Sequence, residues 1–301
     1  MKTGTDLLIL GAGGMLGTAL VEVAGECGCH ASPLVENDLD ITDRSLVREA
    51  IARHAGQTVA RGIPGAVINA AAYTDVEKAE DDAERAFLVN DTAAGYLASE
   101  AHSVGLSFVH VSTDFVFDGS GEAAYREDDR PNPLNVYGAS KLAGERSVLV
   151  GHPGALVVRT AWTFGAGGTN FPLKILQRAR DAVAAPGEAR ALRVVADEIG
   201  SPTYSVDLAR GLLALLAAGA GGLYHLTGQG FCSRYELALE VLRLAGIHVP
   251  TDVRVEPVVS GSFQTRASRP LNAVLNCDKA ARLGVRMPAW EDGLARFLAG
   301  R

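Results

Sequence analysis

Short apolar runs alternating with helical patterns, and a glycine-rich turn directly after the first run, predict an α/β chain built on a doubly wound parallel sheet. Residues 6–10 (DLLIL) read as a buried strand that stops at glycines, and a helical pattern follows from 15 to about 27. Leu39-Asp40-Ile41 leads through Thr42 and Asp43, both suited to capping, into a helix over about 44–55. Residues 66–69 (AVIN) read as another buried strand. Helical patterns over 81–103 precede the strand 107–112 (SFVHVS), and a helix near 137–149 precedes the strand 155–160. Parallel strands joined this way need right-handed crossovers, which cover both faces of the sheet with helices. Ligands then bind in the crevice at the strands' carboxyl ends.

Beyond residue 161 the alternation loosens. Residues 165–168 and 170–172 are turn-rich, 192–195 read as one more strand of the main sheet, and short strands mix with helices from 221 onward. The expected organisation is a dinucleotide-binding domain over 1–160, to which about 190–222 returns. A smaller, mixed α/β substrate domain, drawn mainly from 161–301, interleaves with it.

Composition narrows the function classes. With 48% hydrophobic and 21% charged residues and 34 glycines, the 301-residue chain has the make-up of a globular α/β protein with tight turns. Acidic residues outnumber basic ones 35 to 28, and no Lys/Arg run stands out, which disfavours a nucleic-acid groove or a membrane-binding patch. The first apolar run is too short for a signal peptide or a membrane span, so a cytoplasmic protein is expected. Cys27, Cys29, Cys232 and Cys277 are too few for a disulfide framework. Cys27-Gly28-Cys29 with His30 lacks a second Cys/His cluster, so buried thiols rather than a metal site are expected.

Gly11-Ala12-Gly13-Gly14-Met15-Leu16-Gly17 places glycines at the G-x-x-G-x-x-G positions, between the first strand and the first helix. The first permits a tight turn, the second lets backbone approach a pyrophosphate, and the third lets helix and strand pack closely. The helix N-terminus adds N–H groups and positive dipole. A glycine-rich turn by itself is common; its position is what makes this one a Rossmann-type dinucleotide loop. The second strand ends near Leu34-Val35-Glu36-Asn37, and a carboxylate at Glu36 would repel a 2′-phosphate, which favours NADH over NADPH. Asp40 and Ile41 are placed to flank the adenine, one as acceptor and one as apolar face.

Tyr137 and Lys141 stand four residues apart, on one face of a helix. Reduction of a ketone leaves an alkoxide that needs a proton, and a phenol can give it if adjacent positive charge lowers its pKa. Lys141 is expected to supply that charge and also to hold the nicotinamide ribose hydroxyls, so that Tyr137 and Lys141 are expected at the cofactor as well. Taken alone, the pair could be an incidental feature of a surface helix. Ahead of it stands Ser112-Thr113-Asp114, at the tip of the strand SFVHVS, where this fold presents a substrate carbonyl. In isolation that tripeptide would be a Ser/Thr turn; in company with the glycine loop and Tyr137/Lys141, Thr113 is expected to hydrogen-bond the carbonyl oxygen.

These blocks resemble the extended short-chain dehydrogenases, and among them the dTDP-4-dehydrorhamnose reductase family. The resemblance runs through Asn69-Ala70-Ala71-Ala72-Tyr73-Thr74, Ser112-Thr113-Asp114-Phe115-Val116-Phe117-Asp118-Gly119, Tyr137-Gly138-Ala139-Ser140-Lys141, Arg159-Thr160-Ala161-Trp162 and Ser268-Arg269-Pro270. It implies an oxidoreductase that passes hydride from NAD(P)H to the C4 ketone of a nucleotide-linked 4-keto-6-deoxysugar, turning dTDP-4-dehydrorhamnose into dTDP-rhamnose. It further implies that Gly11, Gly14, Met15 and Leu16 wrap the pyrophosphate, and that Ala70, Ala71, Ala72, Tyr73 and Thr74 line the cofactor. Thr113 and Asp114 would touch the sugar, with Thr113, Tyr137 and Lys141 catalytic. Trp162 would pack on the sugar or nucleotide, or else fill the domain interface, and Arg269 would lie near the diphosphate or be structural. A homodimer and a Mg²⁺ requirement are left open, since no motif addresses either. Two positions depart from the family pattern: the middle residue of Asp197-Glu198-Ile199, where Gln is usual, and Phe115, where Tyr is frequent.

Three rival readings share these residues. A nucleotide-sugar 4,6-dehydratase needs an acidic group where Phe115 stands, and phenylalanine transfers no proton. A 4-epimerase could use the same Tyr/Lys chemistry but would retain its cofactor through the cycle. A non-catalytic subunit resembling the regulatory subunit of methionine adenosyltransferase would keep these residues only as cofactor ligands.

Overall fold

The structure is a computed structural model that describes residues 4–184 and 191–300. The first half runs β1 (Asp6–Leu10), α1 (Met15–Glu26), β2 (His30–Leu34), α2 (Arg44–Arg61), β3 (Gly65–Asn69), α3 (Val76–Ala79) and α4 (Ala83–Phe87). After a π-helical turn at Leu88–Ala93 come α5 (Ala94–Ser103), β4 (Ser107–Thr113), α6 (Val136–Gly151) and β5 (Leu156–Thr160). The second half adds β6 (Thr163–Phe164), α7 (Phe171–Ala184), β7 (Ala191–Val195), β8 (Ile199–Gly200), β9 (Thr203–Tyr204), α8 (Ser205–Ala217) and β10 (Gly222–His225). It closes with β11 (Cys232–Ser233), α9 (Arg234–Leu244), β12 (Arg254–Val258), α10 (Asp278–Arg282) and α11 (Trp290–Ala299).

Six strands form one parallel sheet in the order β2-β1-β3-β4-β5-β10. Every residue of β1 is buried, as the unbroken apolar run requires when helices cover both faces. Because side chains alternate along a strand, Leu7 and Ile9 join one core with Leu20 of α1 and Leu208 and Leu212 of α8. Leu8 and Leu10 join the opposite core with Val47 of α2, Leu97 of α5 and Val148 of α6. The chain reverses direction across the sheet between β1 and β3, so the crevice lies at their carboxyl ends. A third core, built from Ile175, Val194, Leu237, Val241, Val255 and Phe297, holds α7, α9 and α11 against β7 and β12.

Three sequence expectations change. Residues 192–195 do form a strand, but β7 pairs in parallel with β12 in a separate two-stranded sheet; the sixth strand of the main sheet is β10. Short apolar runs announce a strand without naming its partner. Helix α2 continues past residue 55, because nothing breaks it before Gly62 takes a left-handed conformation at its end. The helical run over 81–103 is divided by the π-helical turn, which turns Asn90 inward.

Candidate active site

At the sheet's switch point the glycine turn is held by close backbone approach. Gly11 has φ +75°, and a Cβ there would lie 2.6 Å from the Ala71 nitrogen; a Cβ on Gly17 would lie 2.1 Å from the Gly11 oxygen. Helix α1 begins with no side-chain cap, so its first N–H groups and positive dipole are left for a ligand. Next to this turn is a cleft of about 600 Å³ lined by Gly11, Gly14, Asp40, Ile41, Ala71, Ala72 and Tyr73. Glu36, just past β2, lines it too. Among the expected cofactor residues, Met15, Leu16, Ala70, Thr74, Tyr137 and Lys141 are not part of that lining; Leu16 and Ala70 pack on the core instead. Arg85 of α4 is a cation on the same cleft that sequence spacing missed; it acts on the Asp40 carboxylate, which hydrogen bonds from Thr42 hold below its ordinary value. The glycine cradle, the open helix end and the cleft's size fit a dinucleotide.

Thr113 is the last residue of β4, while Tyr137 and Lys141 lie in the first turns of α6. Asn135 caps α6 by accepting from the Gly138 N–H at 2.8 Å. The helix then presses so close to the turn after β4 that a Cβ on Gly138 would lie 2.2 Å from the Phe115 oxygen. That contact sets the Tyr137 phenol beside the Thr113 hydroxyl, close enough for the hydroxyl to act on it. Phe115 meets the Tyr137 ring edge-on at 5.6 Å.

Lys141 is 2% exposed and donates from Nζ to the Val111 carbonyl at 2.7 Å. Burial lowers its pKa to about 8, with the Glu145 carboxylate opposing. Glu145 lies one turn further along α6, held by Arg159 at 2.8 and 2.7 Å and by Ser112 at 2.5 Å. On its other side Lys141 faces His110 Nε2 at 3.5 Å. Asn69 accepts the Ala71 N–H through Oδ1 and turns its amide nitrogen to His110 Nδ1 at 3.2 Å. That leaves the proton of a neutral imidazole on Nε2.

The expectation that Lys141 lowers the Tyr137 pKa is not met. Burial pushes the phenol up to about 12, against the Thr113 hydrogen bond and with the Asp114 carboxylate adding to the rise. The ammonium is turned toward Val111, and an enclosed phenolate loses its hydration. The phenol is thus kept as a proton donor. Asn90, which sequence reasoning missed, ties the cofactor loop to the catalytic helix: it bonds both backbone groups of Tyr73, at 2.9 and 3.0 Å, and Ser140 Oγ at 2.9 Å. A lone Asn inside a helical pattern carries no signal of this.

Asp114 is 2% exposed; burial raises its pKa to about 7, with the Thr113 hydrogen bond and Arg234 opposing. Arg234, whose charge acts on Asp114, also lines a second cavity of about 840 Å³ together with Trp162, Arg178, Arg193, Glu198 and Arg269. Trp162 has φ 45°, a strained value for a side chain of its size, and Arg234 stacks 3.4 Å from its ring. The ring both lines the cavity and packs against Gly200 of β8. Arg269 pairs with Glu77 at 2.5 Å while keeping a place in the lining. The arginines come from α7, β7, α9 and the segment after β12, too scattered along the chain to read as a patch.

Among the described residues no group of three or more His, Cys, Asp or Glu is placed to hold a metal ion, and no helix is long and apolar enough to cross a membrane.

Residues 5–300 match the family model described as the RmlD substrate binding domain. The chain is 33% identical to the spore coat polysaccharide biosynthesis protein SpsK of Bacillus subtilis, over 99% of this chain and 98% of that protein. It is 39% identical to the dTDP-4-dehydrorhamnose reductase of Mycobacterium tuberculosis, over 97% of this chain and 92% of that one. The crystal structure of the Bacillus anthracis dTDP-4-dehydrorhamnose reductase in complex with NADP superposes with a TM-score of 0.89 at 34% identity, covering 100% of both chains. Glycine cradle, Thr113/Tyr137/Lys141 geometry and full-length similarity agree: the chain belongs to the dTDP-4-dehydrorhamnose reductase family and is an NAD(P)H-dependent oxidoreductase.

Proposed function

We propose that this chain reduces the C4 ketone of a nucleotide-linked 4-keto-6-deoxysugar, with dTDP-4-dehydrorhamnose as substrate and dTDP-rhamnose as product. The observation that carries the reading is the meeting of Thr113 and Tyr137 at the tip of β4, beside an arginine-lined cavity. A bound NAD(P)H supplies the hydride to C4. Tyr137, kept protonated by its surroundings, donates its proton to the oxygen at C4. Thr113 hydrogen-bonds the same oxygen, and that bond strengthens as negative charge gathers there. Lys141, one turn along α6 from Tyr137 with its ammonium on the Val111 carbonyl, would hold the cofactor's ribose hydroxyls. Arg178, Arg193, Arg234 and Arg269 suit a diphosphate, Trp162 offers a flat face to sugar or base, and Asp114, next to Thr113, would meet the sugar.

For the cofactor, the Glu36 carboxylate supports NADH, and Arg85 is the cation on the same cleft that a 2′-phosphate would use. The test is oxidation of NADH and of NADPH with dTDP-4-dehydro-β-L-rhamnose. Tyr137→Phe should lower kcat by about 10²- to 10⁴-fold while cofactor affinity holds. Near-normal turnover by that variant would remove Tyr137 from the role.

A further inference from the structure

The hydrogen bonds around Thr113 pose a problem for its role as donor. A threonine hydroxyl has one proton and two lone pairs. Here the Phe115 N–H donates to Thr113 Oγ1 at 3.2 Å, and the hydroxyl proton goes to Asp114 Oδ1 at 2.9 Å. With its proton engaged there, Thr113 has none to give a ketone. Asp114 Oδ2, in turn, is buried without a hydrogen-bond partner, a poor setting for an ionised carboxylate. A neutral acid resolves both difficulties. Its own O–H donates to Thr113 Oγ1, which still has a lone pair beside the one used by Phe115, and the Thr113 proton is released toward the Tyr137 oxygen and the substrate, leaving the Tyr137 O–H free for the ketone.

We propose that Asp114 is a proton gate on Thr113: as an acid it turns the Thr113 hydroxyl toward the substrate carbonyl, and as a carboxylate it withdraws it. This rests on the reading of Thr113 as the ketone's hydrogen-bond donor. The groups that face Asp114 are Tyr137, carried with Lys141 on α6, and Arg234, the first residue of α9, which pairs with Glu198 at 3.7 Å and feels Arg269. Arg234 favours the carboxylate and burial opposes it more strongly, so the switch falls at about 7, in the neutral range. No proton is consumed at Asp114: it sets the direction of a bond, and Tyr137 remains the donor.

The test is the pH dependence of kcat/KM, at saturating cofactor, in wild type and Asp114→Asn. The asparagine amide can donate to Thr113 Oγ1 at every pH, as the acid does only when protonated. Between about pH 6 and pH 8 the acid's protonated fraction falls about tenfold. Wild-type kcat/KM should fall by that factor times the loss from Lys141, about twofold more at its value near 8. Asp114→Asn should retain only the twofold fall. A variant with the wild-type pH profile and a raised KM alone would overturn the gate and leave Asp114 as a simple acceptor for a sugar hydroxyl. Infrared difference spectra, wild type minus Asp114→Asn, give a readout free of turnover. A carboxylic-acid carbonyl band present in mildly acidic buffer and lost in alkaline buffer is expected, and its absence at acid pH overturns the gate. Failure of wild type to oxidise NADH or NADPH with the 4-ketosugar would instead refute the reductase reading.

Discussion

Arg159→Met probes the network that stands behind Lys141. Arg159 is 2% exposed on β5 and meets both oxygens of Glu145, through Nε at 2.8 Å and a terminal nitrogen at 2.7 Å. Its guanidinium lies 4.9 Å from the Phe117 ring and 3.4 Å from His225 Nε2. Methionine keeps most of the stem volume and can still touch the ring, so the principal loss is the charge pair. Glu145 would then be a buried carboxylate with Ser112 as its remaining hydrogen bond and Lys141 as its remaining nearby charge, and removing one partner of a buried pair costs about 3–5 kcal/mol. That is about a fifth or more of the stability usual for a folded domain. Urea unfolding at neutral pH should show the loss as a lower midpoint with little change in slope. Glu145→Met should cost a comparable amount, and the double variant about 2 kcal/mol or more less than the sum, since no charge is left stranded. A single variant that costs below about 1 kcal/mol, or strict additivity, would refute the assignment of this pair as a mutually dependent buried unit.

Gly17→Ala should weaken cofactor binding and stability together, because its Cβ would stand 2.1 Å from the Gly11 oxygen and push α1 off the turn; overpacking of this kind costs about 1–3 kcal/mol, read by calorimetric cofactor titration and by urea midpoint. Glu36→Arg should raise the NADPH-to-NADH ratio of kcat/KM, and an unchanged ratio would place Glu36 away from the ribose. His225 is held at about 3 by burial first and Arg159 second, so the unfolded chain takes up its proton near the ordinary value while the folded chain refuses it. Stability should therefore decline as pH falls from about 6.5 toward 3, by about 2 kcal/mol between neutral pH and pH 5, and His225→Gln should remove that part of the acid slope in urea titrations.

Much of the scaffold is local and so was legible in the chain. The buried run of β1 followed by Gly11, the Asp43 cap of α2 and the strand carrying Thr113 each depend on periodicity, burial and turn chemistry within a few residues. The Tyr137/Lys141 pair is legible for the same reason, since one helical turn sets its geometry. Strand 191–195 shows the limit: its strand character is local, but its partner β12 lies some sixty residues on, and no property of the run itself distinguishes a main-sheet neighbour from a separate one.

The sequence alone determined a doubly wound sheet with a glycine turn at its first crossover, and singled out a phenol, a hydroxyl and an ammonium as the candidate catalytic groups. Only the tertiary structure decided their electrostatics: Tyr137 raised rather than lowered, Lys141 tied to Val111 and flanked by Glu145, Asp114 enclosed with one oxygen unpaired, and Arg234 laid over Trp162. The reason is physical. Residue type sets what a group can donate or accept, but its charge state depends on desolvation and on neighbours brought together from strands and helices far apart in the chain.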